Sequence, residues 1–265
     1  MINSLRHIYA LLLRQVYLIK RSPPRWISYV FWPTLQMIIW GYLNKFLYLQ
    51  SGLAAFALTS LLGANLLVSF FERSNVQIMW GFLEDVWARN IGNVLISPIR
   101  PLEMLAGYIL NGLIAVLIGM ATAILVAYLL FDYSLFQTGI YLIPFISNLI
   151  MSGWCIGLLL ISLLFRYGAS GEHFGWMAAF IITPFIAVYY PVDILPLWAQ
   201  KISWALPPTY VFEGLRQFIK TGTFNWALFR MSLLLNLGYF VLSIFVFMNQ
   251  LNAARRRGGL FSMSE

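Results

Sequence analysis

Glu84, Asp85, Trp87 and Arg89 put two carboxylates, an indole and a guanidinium into six consecutive positions of a chain otherwise poor in charge. If the segment is helical, Phe82, Val86, Arg89 and Asn93 fall near one face and Glu84, Asp85 and Ala88 near another. That arrangement suits contact with another protein rather than bond-making chemistry. The bland alternative is an ordinary loop carrying a surface helix. Glu172-His173 is the other polar pair that invites a catalytic or metal reading, but the chain has only two His and no third ligand nearby. A charged cap on an apolar segment fits it better. No G-x-x-x-x-G-K-[ST] occurs, so the chain has no phosphate-cradling loop of its own, and there is neither H-E-x-x-H nor a Cys pair. The single Cys155 lies in an apolar run and reads as a small core residue.

The elements around the charged stretch fix its shape. Gly81 to Tyr108 is the longest interval between two apolar blocks on one side of the chain. Its first half is predicted as a short amphipathic helix. Ser97-Pro98 ends that helix, because proline restricts its predecessor and has no amide to donate. Pro101-Leu102-Glu103 opens the next, with proline in the first turn and a carboxylate near the positive helix end. Two helices thus meet at a fixed elbow.

Composition places that elbow beside a membrane. Of 265 residues, 61% are hydrophobic and 10% charged, against nearer half and a quarter in soluble domains; mean hydropathy is +0.79. Ten Trp, 14 Tyr and 21 Phe fit aromatic belts at two interfaces. The net charge of +8 would suggest nucleic acid for a soluble chain; in a membrane protein it sorts by side, and no nucleic-acid partner is expected. The chain reads as one permease-like domain over 1–265. Residues 3–21 form a basic amphipathic helix lying in the interface plane, not a signal peptide, and Ser22-Pro23-Pro24 ends it.

Six spans follow: Trp26 to Leu43, Leu53 to Phe71, Leu102 to Phe131, Gly139 to Phe165, Phe174 to Tyr190 and Trp226 to Met248. Pro33 interrupts the first, and Gln50-Ser51-Gly52 turns into the second. With the N-terminus inside, twelve Lys and Arg fall in cytoplasmic segments, Arg73 and the Arg255–Arg257 cluster among them. Five fall outside: Lys45, Lys201, Arg216, Lys220 and Arg230. This bias places both termini in the cytoplasm. The basic tail anchors against anionic lipid. Gly153 and Gly157 offer a close-packing pattern suited to dimerisation. The blocks carry essentially no charge away from their ends, which counts against an ion-coupled carrier and leaves the energy source elsewhere.

Tyr189 to Lys220 is external yet apolar, and Pro191, Pro196, Pro207 and Pro208 cut it into two short helices. On physical grounds a re-entrant hairpin and a pair of interfacial helices fit equally.

Two stretches match a known family. L-E-D-V-W-A-R-N-I-G-N-V-L-I-S-P-I-R-P-L-E resembles the signature of ABC exporter permeases of the second type, roughly G-T-L-E, then L-L, then S-P-I-R-P-L-E. P-V-D-I-L-P, then L-P-P-T-Y-V-F-E-G-L-R, is similar to the L-P…N-P-x-T-Y-x-x-E-x-x-R pattern before that family's last span, with Leu206-Pro207 in place of the usual Asn-Pro. The resemblance covers essentially the whole chain. It implies an all-α membrane protein acting as a half-transporter: two copies form a pathway, and two separate ATPase subunits below bind ATP and Mg. It makes the elbow the coupling helix, with Glu84, Asp85, Trp87 and Arg89 at the ATPase contact and Arg166 to Glu172 as a second contact. It favours the re-entrant hairpin as an external gate shaped by Pro191, Pro196, Pro207, Glu213 and Arg216. The implied activity is outward movement of an amphipathic or lipid-linked substrate across the inner membrane. Within that class polysaccharide, lipid and drug cargo stay open, and Trp32, Trp40, Trp154 and Trp176 are candidates for a sugar-stacking path or for belt and packing residues.

Overall fold

A computed structural model describes residues 2–21, 23–51, 55–88, 90–135, 139, 141–167 and 172–257; among them there is no β-strand. Helix α1 is Ile2–Arg21, α2 Pro23–Ser51, α3 Ala55–Trp87, α4 Ile91–Ile96 and α5 Pro101–Phe131. Then come α6 Leu142–Tyr167, α7 Glu172–Ile182, α8 Leu197–Ala205, α9 Pro207–Thr221 and α10 Trp226–Arg257. Among the described residues, three helices, α5, α6 and α10, are both long and apolar enough to cross a bilayer.

Helix α3 is the axis of the fold. Leu66, Leu67, Val68, Phe71, Ile78, Met79, Phe82 and Leu83 are all fully buried, so its core face continues from one end to the other. The upper core gathers Phe71, Met120, Phe145, Leu149 and Phe212, and the lower one Phe82, Tyr108, Leu158, Phe165 and Phe247. Lipid tails are as apolar as these side chains, so close approach and dispersion hold the helices together more than water exclusion does. Glycines permit that approach. A Cβ on Gly153 would stand 2.5 Å from the Phe71 carbonyl oxygen, and one on Gly157 would stand 3.0 Å from that of Asn75. Gly153 and Gly157 are therefore packed against α3 inside the chain. Gly153→Ala has no room for its methyl against backbone, and it should cost about 1–3 kcal/mol. A lowered thermal midpoint of the purified protein checks this.

Proline acts similarly between α2 and α5. The helix runs through Pro33, which has no amide to offer the Tyr29 carbonyl one turn back. That carbonyl lies against Gly119, where a Cβ would come within 2.5 Å.

Several boundaries differ from the sequence reading. The second span does not stop at Phe71, and Gly81–Trp87 is not a separate amphipathic helix. Both belong to α3, which at 33 residues is about 50 Å long. Nothing in 72–80 breaks a helix, and Glu72 and Arg73 meet Thr183 and Gln36 from neighbouring elements. Gly153, near the middle of α6, packs on Phe71, Ser74 and Asn75, while Gly112 of α5 packs on Gln77 and Ile78. Glu72 and Arg73 thus stand near mid-height of the bundle rather than at the end of a helix.

Helix α1 ends at Arg21, just before Ser22-Pro23-Pro24 as expected, and Pro23 and Pro24 also open α2, in keeping with proline's fit to a first helical turn. Gln50 and Ser51 are still helical. Helix α7 has 11 residues, about 17 Å, so the expected fifth span is not one helix. From Thr183 to Tyr190 the chain winds without helix, through Ala187 at φ 53°.

Candidate coupling elbow and external gate

The last turns of α3 send consecutive residues different ways. Phe82 and Leu83 enter the lower core, where Phe82 meets Phe165 with ring centroids 5.0 Å apart. Glu84 is half-buried and Trp87 is 53% exposed. Asp85 is 3% exposed. Its carboxylate accepts a hydrogen bond from Arg14 Nη2 at 2.8 Å and another from Tyr108 Oη at 2.7 Å. Asn90 Nδ2 reaches the second carboxylate oxygen at 3.5 Å, and the Asn90 amide bonds the Asp85 carbonyl at 2.8 Å. One side chain thereby ties α1, α3, α5 and the turn into α4 together. Arg89 lies outside the described residues.

Helix α4 has six residues. Ser97 closes it by bonding the Val94 carbonyl through its hydroxyl and the Asn93 carbonyl through its amide. Pro98 follows, and the next helix begins at Pro101. Glu103 folds back to accept the Arg100 amide at 3.0 Å and also meets His7 Nδ1 at 2.8 Å. So α1 is pinned twice, by Arg14 to Asp85 and by His7 to Glu103. Its Leu11 packs where a Cβ on Gly107 would come within 2.9 Å. Leu5, Tyr9 and Val16 remain exposed. Among the described residues, the elbow exposes Trp87, Ala88, Asn93, Pro98 and Arg100.

Arg166 is exposed at the end of α6 and stands 5.5 Å from the Tyr167 ring. It follows Phe165, whose contact with Phe82 brings this helix end beside the elbow. Glu172 opens α7; its side chain is outside the described set. Sequence reasoning missed Arg14, Tyr108 and His7. Arg14 is one of several basic residues on α1 and carries no mark of its own in the sequence. Tyr108 carried no mark among 14 tyrosines.

At the other end, each proline opens a structure. Pro191 caps the single turn Val192–Ile194, Pro196 caps α8, and Pro207 begins α9. Glu213 and Arg216, one turn apart on α9, clamp the unwound chain behind α7. Arg216 bonds the Ala187 and Val188 carbonyls and meets Glu213 at 2.6 Å, while Glu213 accepts the Val192 amide at 2.9 Å. Backbone that has left the helix in an apolar setting needs such partners. Ser203 Oγ bonds the Phe185 carbonyl at 2.5 Å, and Ser232 Oγ of α10 bonds that of Pro207 at 2.9 Å. The short helices are therefore tied to both neighbours.

Of the candidate aromatics, Trp40 stacks on Tyr189 at 5.0 Å, Trp154 packs between the two cores and Trp32 is exposed. The side chain of Trp176 is outside the described set.

Comparison with curated proteins gives no match. The sequence pattern of the family described as ABC-2 type transporter matches residues 6–220, from α1 through the elbow into the last turn of α9. A helical, multi-pass membrane chain whose matched region includes both motif-bearing stretches belongs to the ABC-2 type transporter family and is a permease.

Proposed function

We propose that this permease is the membrane half of an ATP-driven exporter, carrying an amphipathic or lipid-linked substrate outward across the inner membrane. The observation that carries the reading is the elbow. A solvent-exposed Trp87 and a half-buried Glu84 project at the end of the longest buried helix, while Asp85 braces that end from within. A force on such an elbow is transmitted as movement of α3, α5 and α1 together. Two ATPase subunits, holding ATP and Mg, would dock there through Glu84, Trp87 and Arg89, with Arg166 and Glu172 as the second contact. Two permease copies would form the pathway, meeting on faces other than the Gly153–Gly157 ridge already packed inside the chain. Pro191, Pro196, Pro207, Glu213 and Arg216 would shape the external gate.

Glu72 favours one competing reading, because a carboxylate near mid-span is what an ion-coupled carrier requires. Energisation separates the two. Export into inverted vesicles should require ATP and the ATPase subunit and persist when an uncoupler dissipates the proton gradient. Loss of export on uncoupling, with ATP still hydrolysed, would support the carrier.

The arrangement also needs six membrane passages, with α7 and the unwound segment behind it making the fifth, and both termini in the cytoplasm. Single cysteines at Ser4, Gly92 and Thr221 in a Cys155→Ser background test it. Only the Thr221 position should react with an impermeant maleimide outside intact cells; external labelling at Ser4 or Gly92 would refute the topology.

A further inference from the structure

Glu72 and Arg73 occupy an unusual place for charges. Gly153 and Gly112 set them near mid-height of α6 and α5, where an ionisable side chain is costly and commonly functional. Both are half-buried. Arg73 Nη2 donates to Gln36 Oε1 of α2 at 3.3 Å, and Arg73 Nε is buried with no hydrogen-bond partner among the described residues. Glu72 accepts from Gln36 and, at 3.5 Å, from Thr183 Oγ1 just beyond α7. Two turns outward on the same face, Asn65 Oδ1 accepts the Tyr189 hydroxyl at 3.4 Å. A strip of donors and acceptors therefore runs between α2, α3 and the chain behind α7, from mid-height toward the gate.

We propose that Glu72, Arg73 and Gln36 form a polar recognition site in the transport path for the hydroxyl-bearing headgroup of an amphiphile, a proposal that rests on the exporter reading. The donor set matches such a ligand. A bare anion would suit Arg73 but meet Glu72 at the next position, and a bare cation would meet the reverse. A hydroxyl both donates and accepts, so it can bond Glu72 and Arg73 together. A guanidinium left partly unpartnered beside a carboxylate in an apolar layer gains from a ligand that brings its own hydrogen-bonding groups. The chain behind α7 supplies Thr183 and is itself clamped by Arg216, so occupancy of the site bears directly on the gate helices.

The test uses the permease with its ATPase in lipid nanodiscs. Decyl maltoside, decyl phosphocholine and decyl sulfate, each below its micelle-forming concentration, are titrated while ATP hydrolysis is followed. Decyl maltoside should stimulate at the lowest concentration. Arg73→Gln, Glu72→Gln and Gln36→Leu should each raise its half-maximal concentration roughly ten- to hundred-fold, the effect of losing a hydrogen bond to a charged group. The exchange Glu72→Arg with Arg73→Glu should not restore the response, because it reverses the donors and acceptors offered to the ligand. Equal potency of the three headgroups, no response to decyl maltoside, or unchanged half-maximal concentrations in the variants would overturn the proposal. Recovery in the exchanged variant would make the two residues a structural ion pair, and loss of the complex in Gln36→Leu as well as Arg73→Gln would make the cluster a folding element. If no ATPase is held by the permease, the exporter reading fails instead. The same amphiphile series is then read by protection of the chain against thermal unfolding, with the same ranking expected.

Discussion

Glu84→Arg should leave the permease inserted at normal abundance, release the ATPase on purification and abolish export. The side chain stands half-buried on the last turns of α3, between Leu83 in the core and the exposed Trp87. Its immediate neighbour Asp85 holds the α1–α3–α5 bracing through Arg14 and Tyr108. Reversing a charge at a desolvated boundary leaves the partner's charge unpaired and adds repulsion, a loss of about 2–5 kcal/mol in binding. That is enough to strip a subunit during purification. Quantitative blotting of the membrane fraction and of the affinity eluate reads both halves of the expectation. Reduced abundance would make Glu84 a folding residue, and a fully retained ATPase would place the coupling contact elsewhere.

Asp85→Ala should have the opposite signature: loss of folded permease. Removing the carboxylate leaves Arg14 and Tyr108 facing each other without an acceptor. The Arg14 side chain is only 27% exposed, and an uncompensated charge in such a place costs about 3–5 kcal/mol, reduced here by the solvent that still reaches it. The expected result is a clear drop in abundance and thermal midpoint. Asp85→Leu combined with Arg14→Met removes both charges and should recover much of the loss, since an apolar pair of similar volume is often nearly neutral. An Asp85→Ala chain that is normally abundant but free of ATPase would instead put Asp85 at the docking surface.

These contrasting outcomes rest on neighbours in sequence, and they mark where sequence reasoning stops. The membrane class, the elbow's two prolines and both motif stretches were legible because each depends on local chemistry: apolar content, a missing amide, a residue pattern. The prolines at Pro191, Pro196 and Pro207 likewise begin short elements whatever the surroundings. Periodicity did not separate Glu84 from Asp85, since both lie on the polar side of the last turn. One further step of about 100° points Asp85 at Arg14 and Tyr108, from helices far away in sequence. The length of α3 was hidden for a related reason. A charged pair after an apolar run reads as the end of a span, and Gln36 of α2 and Thr183 of the unwound chain behind α7 give Glu72 and Arg73 partners inside the bundle. Gly153 and Gly157 showed that some close contact existed, but close approach has no label for its partner, and the contact they make is with α3. Sequence by itself determined what kind of chain this is and where its elements turn. Tertiary structure decided which polar groups face one another, because in an apolar medium a charge stays where another helix offers it a partner.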